Sequence, residues 1–148
     1  MSNTINFNEK IGFICDMDGV IYHGNRVLPG VKEFIDWLYA NNKRFLFLTN
    51  NSSCTPFELR QKLARMGLDV AEEHFYTSAL ATAEFLKSQA PGCSVYALGE
   101  AALTNALYNV GIFMNDVNPD YVVMGEAKSY NIDTLTKAVN LVMKGAKL

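Results

Sequence analysis

The 148 residues include three cysteines, four prolines and one tryptophan, and neither sign of charge dominates. Each scarcity excludes a class of protein. Cys15, Cys54 and Cys93 form no CxxC pair and no Cys/His cluster with zinc spacing, and an odd count does not suit a disulfide framework. They read as reduced thiols, Cys15 being a small buried hydrophobe at the end of an apolar run. The 13 basic residues are scattered against 15 acidic ones, for a net charge of −2. The electrostatic footprint of a nucleic-acid polymer partner is therefore missing. No apolar run approaches the ~20 residues that span a bilayer. The N-terminal stretch MSNTINFNEK has no basic segment leading into an apolar one, so no membrane association is expected and the expected location is cytoplasmic. There is no low-complexity tract and no repeat strong enough for a solenoid.

What remains is the balance of a soluble globular protein, with 49% hydrophobic and 19% charged residues. Chains of this length bury about two-thirds of their unfolded surface. Short β-branched or aromatic runs alternate with helical periodicity, which predicts βαβ units and a parallel sheet. Ile11–Cys15 (IGFIC) is a continuous apolar run, as for a strand covered on both faces. Val31, Phe34, Ile35, Leu38 and Tyr39 then fall at helical spacing behind Pro29-Gly30, and Asn41-Asn42 closes that helix. A second buried strand, Arg44–Leu48, runs into Thr49-Asn50-Asn51. Thr55-Pro56-Phe57-Glu58 combines an N-cap hydroxyl, a proline at the first helical position and a capping-box glutamate before the stripe Leu59, Leu63, Met66. A short strand is expected at His74–Thr77 and a helix from about Ser78 to Gln89.

Pro91-Gly92 punctuates the chain, and a domain boundary is placed there. Beyond it Ser94–Leu98 and Tyr121–Met124 read as strands, and Glu100–Val110 as a helix striped by Leu103, Leu107 and Val110. A last helix from Asn131 to about Lys144 is expected to bury Ile132, Leu135, Val139 and Val142. Leu98-Gly99-Glu100 and Met124-Gly125-Glu126 echo one another at two strand ends.

Asp16-Met17-Asp18-Gly19 follows the first strand directly, so its side chains leave the carboxyl edge of a parallel sheet, where open α/β folds bind ligands. Gly19 lets the backbone turn sharply, and the carboxylates at i and i+2 then reach one crevice. Like charges at 4 Å repel by about 4 kcal/mol at an effective dielectric near 20. A hard divalent cation offsets this, and Mg²⁺ typically takes one or two carboxylates plus waters and phosphate oxygens. Beside such a cation Asp16 is the candidate nucleophile toward phosphorus, and Asp18 the general acid and then base. Thr49 and Asn50 end the second strand and offer a hydroxyl, an amide and backbone N–H groups to a phosphate.

FICDMDGVIYHGN followed by LPG and FLTNNS resembles the haloacid dehalogenase superfamily, and more narrowly its NagD-type sugar and nucleotide phosphatases. FYTSALATAEFL, LGEAAL, DVNPDYVVMGE and SYNIDTLTKA carry the same resemblance along the rest of the chain. It implies an α/β fold, with residues 1–90 as the first part of a Rossmann-like core and 91–148 as the start of an inserted α/β cap. It implies Asp16 as nucleophile and metal ligand, Asp18 as acid/base and, through its backbone carbonyl, metal ligand, and Thr49 and Asn50 as phosphate binders. Met17, Gly19 and Asn51 would line the same pocket, with Mg²⁺ as cofactor. The implied activity is hydrolysis of small phosphorylated metabolites, nucleoside monophosphates or sugar phosphates, through an aspartyl-phosphate.

The superfamily also uses a lysine in a third motif and an acidic cluster in a fourth, both on core strands after the cap, and this sequence ends before either. Lys128 and Lys144 read as solvated charges, His23 as a loop histidine and His74 as structural. Asp116, Asp120 and Glu126 match no calcium loop. The expected partners are thus a phosphorylated metabolite and either a second copy or a missing C-terminal half. Other readings are a non-catalytic fragment, a dehalogenase needing no Mg²⁺, and a nucleotide-sugar transferase in which Asp16 and Asp18 only hold metal.

Overall fold

The structure is a computed structural model and describes residues 6–148. The reading of the N-terminal stretch therefore rests partly on residues outside the described ones. The chain packs as two compact units. One comprises the chain up to Thr49 together with Leu59–Tyr76, the other Asn50–Glu58 together with Thr77–Leu148.

In the first unit β1 (Gly12–Asp16) pairs in parallel with β4 (Arg44–Thr49), from Gly12 opposite Arg44 to Asp16 opposite Leu48. Between them lie a hairpin, β2 (Tyr22–His23) against β3 (Arg26–Val27), and the helix α1 (Val31–Ala40). α1 starts after Gly30, whose φ of 82° suits a residue without a Cβ. It buries Val31, Ile35 and Leu38, three of the five positions read from its period. Asn42 carries the turn that follows at φ 49°. The third strand, β5 (Phe75–Thr77), completes the order β1-β4-β5. His74 is structural as expected. Its ring stacks 3.7 Å from that of Phe45, and its Nδ1 lies 3.0 Å from the Phe45 carbonyl.

The expectation that β1 is covered on both faces fails. Phe13 packs edge-on against Phe34 and Trp37, but Ile14 is 71% exposed. Alternate residues of a strand face opposite sides, and only the Phe13 side of β1 is covered among the described residues. Cys15, on the same side as Phe13, is half-buried; its partial burial raises the thiol pKa. An apolar run states what a strand can bury, not what lies over it.

In the second unit β6 (Ser94–Leu98), β7 (Phe113–Met114) and β8 (Tyr121–Met124) form a parallel sheet in the order β7-β6-β8. α3 (Ser78–Gln89) and α4 (Ala101–Asn109) share one core with Val95, built from Ala79, Ala83, Leu86, Leu103 and Leu107. α5 (Ile132–Met143) packs on the opposite face, where Ala138 and Leu141 join Leu98 and Val122. Because α3 shares that core, the division by packing falls at Thr77, earlier than the Pro91-Gly92 turn. α2 (Pro56–Arg65) begins in this unit and runs into the other. No helix among the described residues is long and apolar enough to cross a membrane.

The predicted buried face of α5 needs correction. Ile132 and Val139 are 73% and 61% exposed, and burial centres instead on Ala138 and Leu141. The helix carries a wider apolar arc than the sheet beneath it covers.

Candidate active site

Parallel pairing of β1 with β4 sends Asp16 and Thr49 out of the same carboxyl edge of neighbouring strands in the first unit. Past Asp16 the chain turns at once. The Met17 carbonyl accepts from the N–H groups of Val20, Ile21 and Tyr22 at 3.2, 2.9 and 3.3 Å, and Gly19 N–H donates to the Tyr22 carbonyl at 2.7 Å. Gly19 has φ +79° with open space where a Cβ would stand, so conformation rather than crowding requires the glycine.

Met17 is fully buried while Asp16 and Asp18 are exposed. Both carboxylates are thus exposed on a turn anchored from beneath by Met17 and Ile21. Met17 N–H donates to Asp16 Oδ1 at 2.9 Å, which orients that carboxylate. Among the described residues no three His, Cys, Asp or Glu side chains form a metal-sized group. The pair Asp16 and Asp18 is a donor set that fits Mg²⁺, a cation that completes its shell with water and phosphate oxygens.

Thr49 is buried. Asn50 and Asn51 follow it directly but pack with the second unit. There the Asn50 carbonyl accepts from the Ser78 hydroxyl at 2.8 Å. Asn51 Oδ1 accepts from Ser53 N–H at 2.8 Å, Ser53 Oγ at 3.0 Å and Cys54 N–H at 3.0 Å. Its side-chain carbonyl thus shapes the loop that carries Asn50.

Sequence reasoning missed Ser52. Its hydroxyl, in a 5% exposed residue, accepts from Glu126 N–H at 2.6 Å. That approach is possible because Gly125 has no side chain; a Cβ there would sit 2.7 Å from Ser52 Oγ. The only sequence signal is the repeated Gly-Glu at two strand ends, which the structure places side by side, with Gly125 N–H donating to the Leu98 carbonyl at 2.7 Å. The following turn is pinned by Lys128 N–H on Glu100 Oε1 and by the Tyr130 hydroxyl on the Gly125 carbonyl.

The remaining candidates serve structure. Asp116 pairs with Lys137 at 2.7 Å, and that ammonium holds its carboxyl below the usual range. Asp120 accepts from Ser94 N–H and Oγ at 2.7 and 2.9 Å, which likewise lowers its pKa. His23 lies exposed on the β2–β3 hairpin rather than in a loop.

The description "haloacid dehalogenase-like hydrolase" matches residues 13–113, a stretch that includes Asp16, Asp18 and Thr49. The chain belongs to this family. Its relatives are of NagD type. It is 43% identical over 138 residues to dihydroxyacetone phosphatase of Corynebacterium glutamicum, covering 93% of this chain and 50% of that one. It is 44% identical over 134 residues to ribonucleotide monophosphatase NagD of Escherichia coli K12, covering 90% and 53%. The solved structure of E. coli NagD superposes with a TM-score of 0.87 over 92% of this chain and 54% of that one. Glycerol phosphate phosphatase of Mycobacterium tuberculosis, solved in complex with magnesium, gives 0.85 at 29% identity, covering 92% and 42%. The chain spans about half the length of the curated relatives it matches.

Proposed function

We propose that this chain carries the nucleophile-bearing half of a Mg²⁺-dependent phosphomonoesterase that acts through an aspartyl-phosphate on small phosphorylated metabolites. The observation that carries the reading is the exposed pair Asp16 and Asp18 flanking the buried Met17, at the sheet edge that also ends in Thr49. Relatives named ribonucleotide monophosphatase, dihydroxyacetone phosphatase and acid sugar phosphatase favour nucleoside monophosphates or sugar phosphates as substrates.

Met17 N–H occupies Asp16 Oδ1, so Oδ2 is the oxygen turned to chemistry. Oδ2 attacks phosphorus as the ester P–O bond breaks, and Asp18 gives its proton to the departing alkoxide. Asp18, now a carboxylate, takes a proton from water as that water attacks the aspartyl-phosphate. Asp16 is released with inorganic phosphate. The Thr49 hydroxyl and Asn50 amide hold the non-bridging oxygens, while Gly19 and Asn51 shape the loops around them. Asp16 through its carboxylate and Asp18 through its backbone carbonyl would hold the Mg²⁺, which would supply charge neutralisation between the Asp16 carboxylate and a phosphate dianion.

In this reading residues 1–90 are the first part of a Rossmann-like core and 91–148 the start of the cap, in a cytoplasmic enzyme. Among these 148 residues no lysine or acidic cluster stands in the context of the superfamily's third and fourth motifs. The isolated chain is expected to turn over phosphate esters far more slowly than a complete relative.

The test is trapping. A complete protein given a phosphate-labelled substrate and Mg²⁺ should carry label on Asp16, with Asp16→Asn inactive and Asp18→Asn slowed by about 10²–10⁴. An active enzyme with label on no residue would remove the covalent step and leave the transferase reading, in which the two aspartates only hold metal.

A further inference from the structure

A lysine of α2 reaches the residue on which the Asp18 turn closes. Lys62 lies in the last turn of the helix, on the part that packs with the first unit. Its Nζ stands 3.9 Å from the centroid of the Tyr22 ring, closer than any other lysine to an aromatic ring among the described residues. Lys62 is half-buried and Tyr22 is buried. Among the described residues no carboxylate stands within ion-pair distance of Lys62. An ammonium over a ring face gains most where water is excluded, and this charge is directed at Tyr22 rather than at an acid.

Tyr22 in turn fixes the backbone on both sides of Asp18. Its N–H donates to the Met17 carbonyl at 3.3 Å, and its carbonyl accepts from Gly19 N–H at 2.7 Å. Asp18 lies between those two residues and forms a bridge with Tyr22 itself. Tyr22 also pairs with Val27 in the β2–β3 hairpin. A shift of the Tyr22 ring therefore carries the Met17–Gly19 backbone with it, and Lys62 is what α2 lays across that ring. Proton transfer needs the acid within hydrogen-bond reach of the oxygen it protonates, and a small misplacement of a catalytic group costs far more rate than stability.

We propose that Lys62 is a positioning residue for the general acid: lying over Tyr22, it holds the Met17–Gly19 turn, and with it Asp18, where a proton reaches the departing alkoxide. The consequence for turnover rests on the phosphatase reading, whereas the hold on the turn does not. Lys62 acts through Tyr22 and takes no part in making or breaking bonds. A cation in the last turn of a helix also suits the helix dipole. Arg65 shares that turn, and so it serves as the control for charge alone.

The test compares Lys62→Met, which keeps the stem and removes the ammonium, with Lys62→Arg, which keeps a cation that stacks on rings, and with Arg65→Met. In the 148-residue chain Lys62→Met should speed exchange of the Gly19 amide by about tenfold. The Leu68 amide, bonded to the Leu63 carbonyl at 3.0 Å just past α2, should not change, and the other two variants should alter neither amide. In a complete protein kcat/KM reads the steps through loss of the alcohol. Lys62→Met should lower it about tenfold for an alkyl phosphate and by less than about twofold for 4-nitrophenyl phosphate, whose anion leaves without a proton; Lys62→Arg should restore it. Equal acceleration at Gly19 and Leu68, no change at Gly19, equal losses on the two esters, or an Arg65→Met that behaves as Lys62→Met would each overturn the proposal. A complete protein that never carries label on Asp16 would sink the phosphatase reading alone, and exchange at Gly19 would still decide whether Lys62 holds the turn.

Discussion

Replacing Gly125 by alanine is the sharpest probe of how the second unit is built. The added methyl would lie 2.7 Å from Leu103 Cδ2, 2.7 Å from Ser52 Oγ and 3.4 Å from Ser52 Cβ. Leu103 is 1% and Ser52 5% exposed, so neither side chain escapes into solvent. If Leu103 gives way, it disturbs the core shared by α3, α4 and β6; overpacking of this kind costs roughly 1–3 kcal/mol. If Ser52 gives way, the hydrogen bond from Glu126 N–H is lost, adding about 1 kcal/mol. A less flexible unfolded chain offsets about 0.4–1 kcal/mol. The net is a loss of about 1–3 kcal/mol, which lowers the urea midpoint by about 1 M for a typical denaturant slope.

The readout must come from the second unit. Trp37, the sole tryptophan, lies in the first, so amide exchange at the buried residues Val95 and Val122 is the appropriate measure. Ser52→Ala alone should cost about 1 kcal/mol through the bond to Glu126. Because that bond can be lost only once, the double variant should be less destabilised than the sum of the two single ones by about 1 kcal/mol. Simple additivity, or a neutral Gly125→Ala, would show that Ser52 and Gly125 do not meet as described.

Three further outcomes follow from the capping box at Thr55 and from the packing of Phe47. Thr55 Oγ1 accepts from Glu58 N–H at 3.2 Å, while the Glu58 carboxylate accepts from Thr55 N–H and Oγ1 at 2.7 and 2.9 Å; Thr55→Ala should cost about 1 kcal/mol in a denaturation curve. Those bonds hold the Glu58 carboxyl below its ordinary 4.5. A depressed folded-state pKa gives stability that is present above the unfolded value and lost as pH falls through the folded one. The stability difference between the native chain and Glu58→Gln should therefore be flat at neutral pH and shrink below about 4.5; a difference that grows on acidification would contradict the assignment. Phe47, with no exposed surface, should cost about 3–5 kcal/mol on change to alanine, and Trp37 fluorescence in the same unit should report the loss.

What the sequence disclosed was local. Asp16 and Asp18 are two residues apart, the capping box spans Thr55 to Glu58, and the turn after β1 needs only Gly19, so each is settled by a few φ/ψ choices. Ser52 and Glu126 are 74 residues apart, and no period or propensity links a serine in a polar loop to a backbone N–H at a distant strand end. The exposed Ile14 and Val139 misled for the converse reason. Periodicity reports the apolar arc a segment carries, whereas burial depends on whether another element covers it. β1 and α5 both carry more apolar surface than the described residues cover.

The same distinction bears on the site. A carboxylate pair held outward needs something underneath that does not move, and the alternation of Asp16, Met17 and Asp18 supplies it. Met17 and Ile21 are buried, and the Met17 carbonyl gathers three N–H groups beneath the exposed acids. Substituting Met17 by a polar residue would therefore disturb the acids without touching a ligand. The loop carrying Asn50 is tied instead through Ser78, Asn51 and Ser52 to the second unit. Thr49 and Asn50, the two residues of the expected phosphate clamp, are thus adjacent in the chain but pack with two different units.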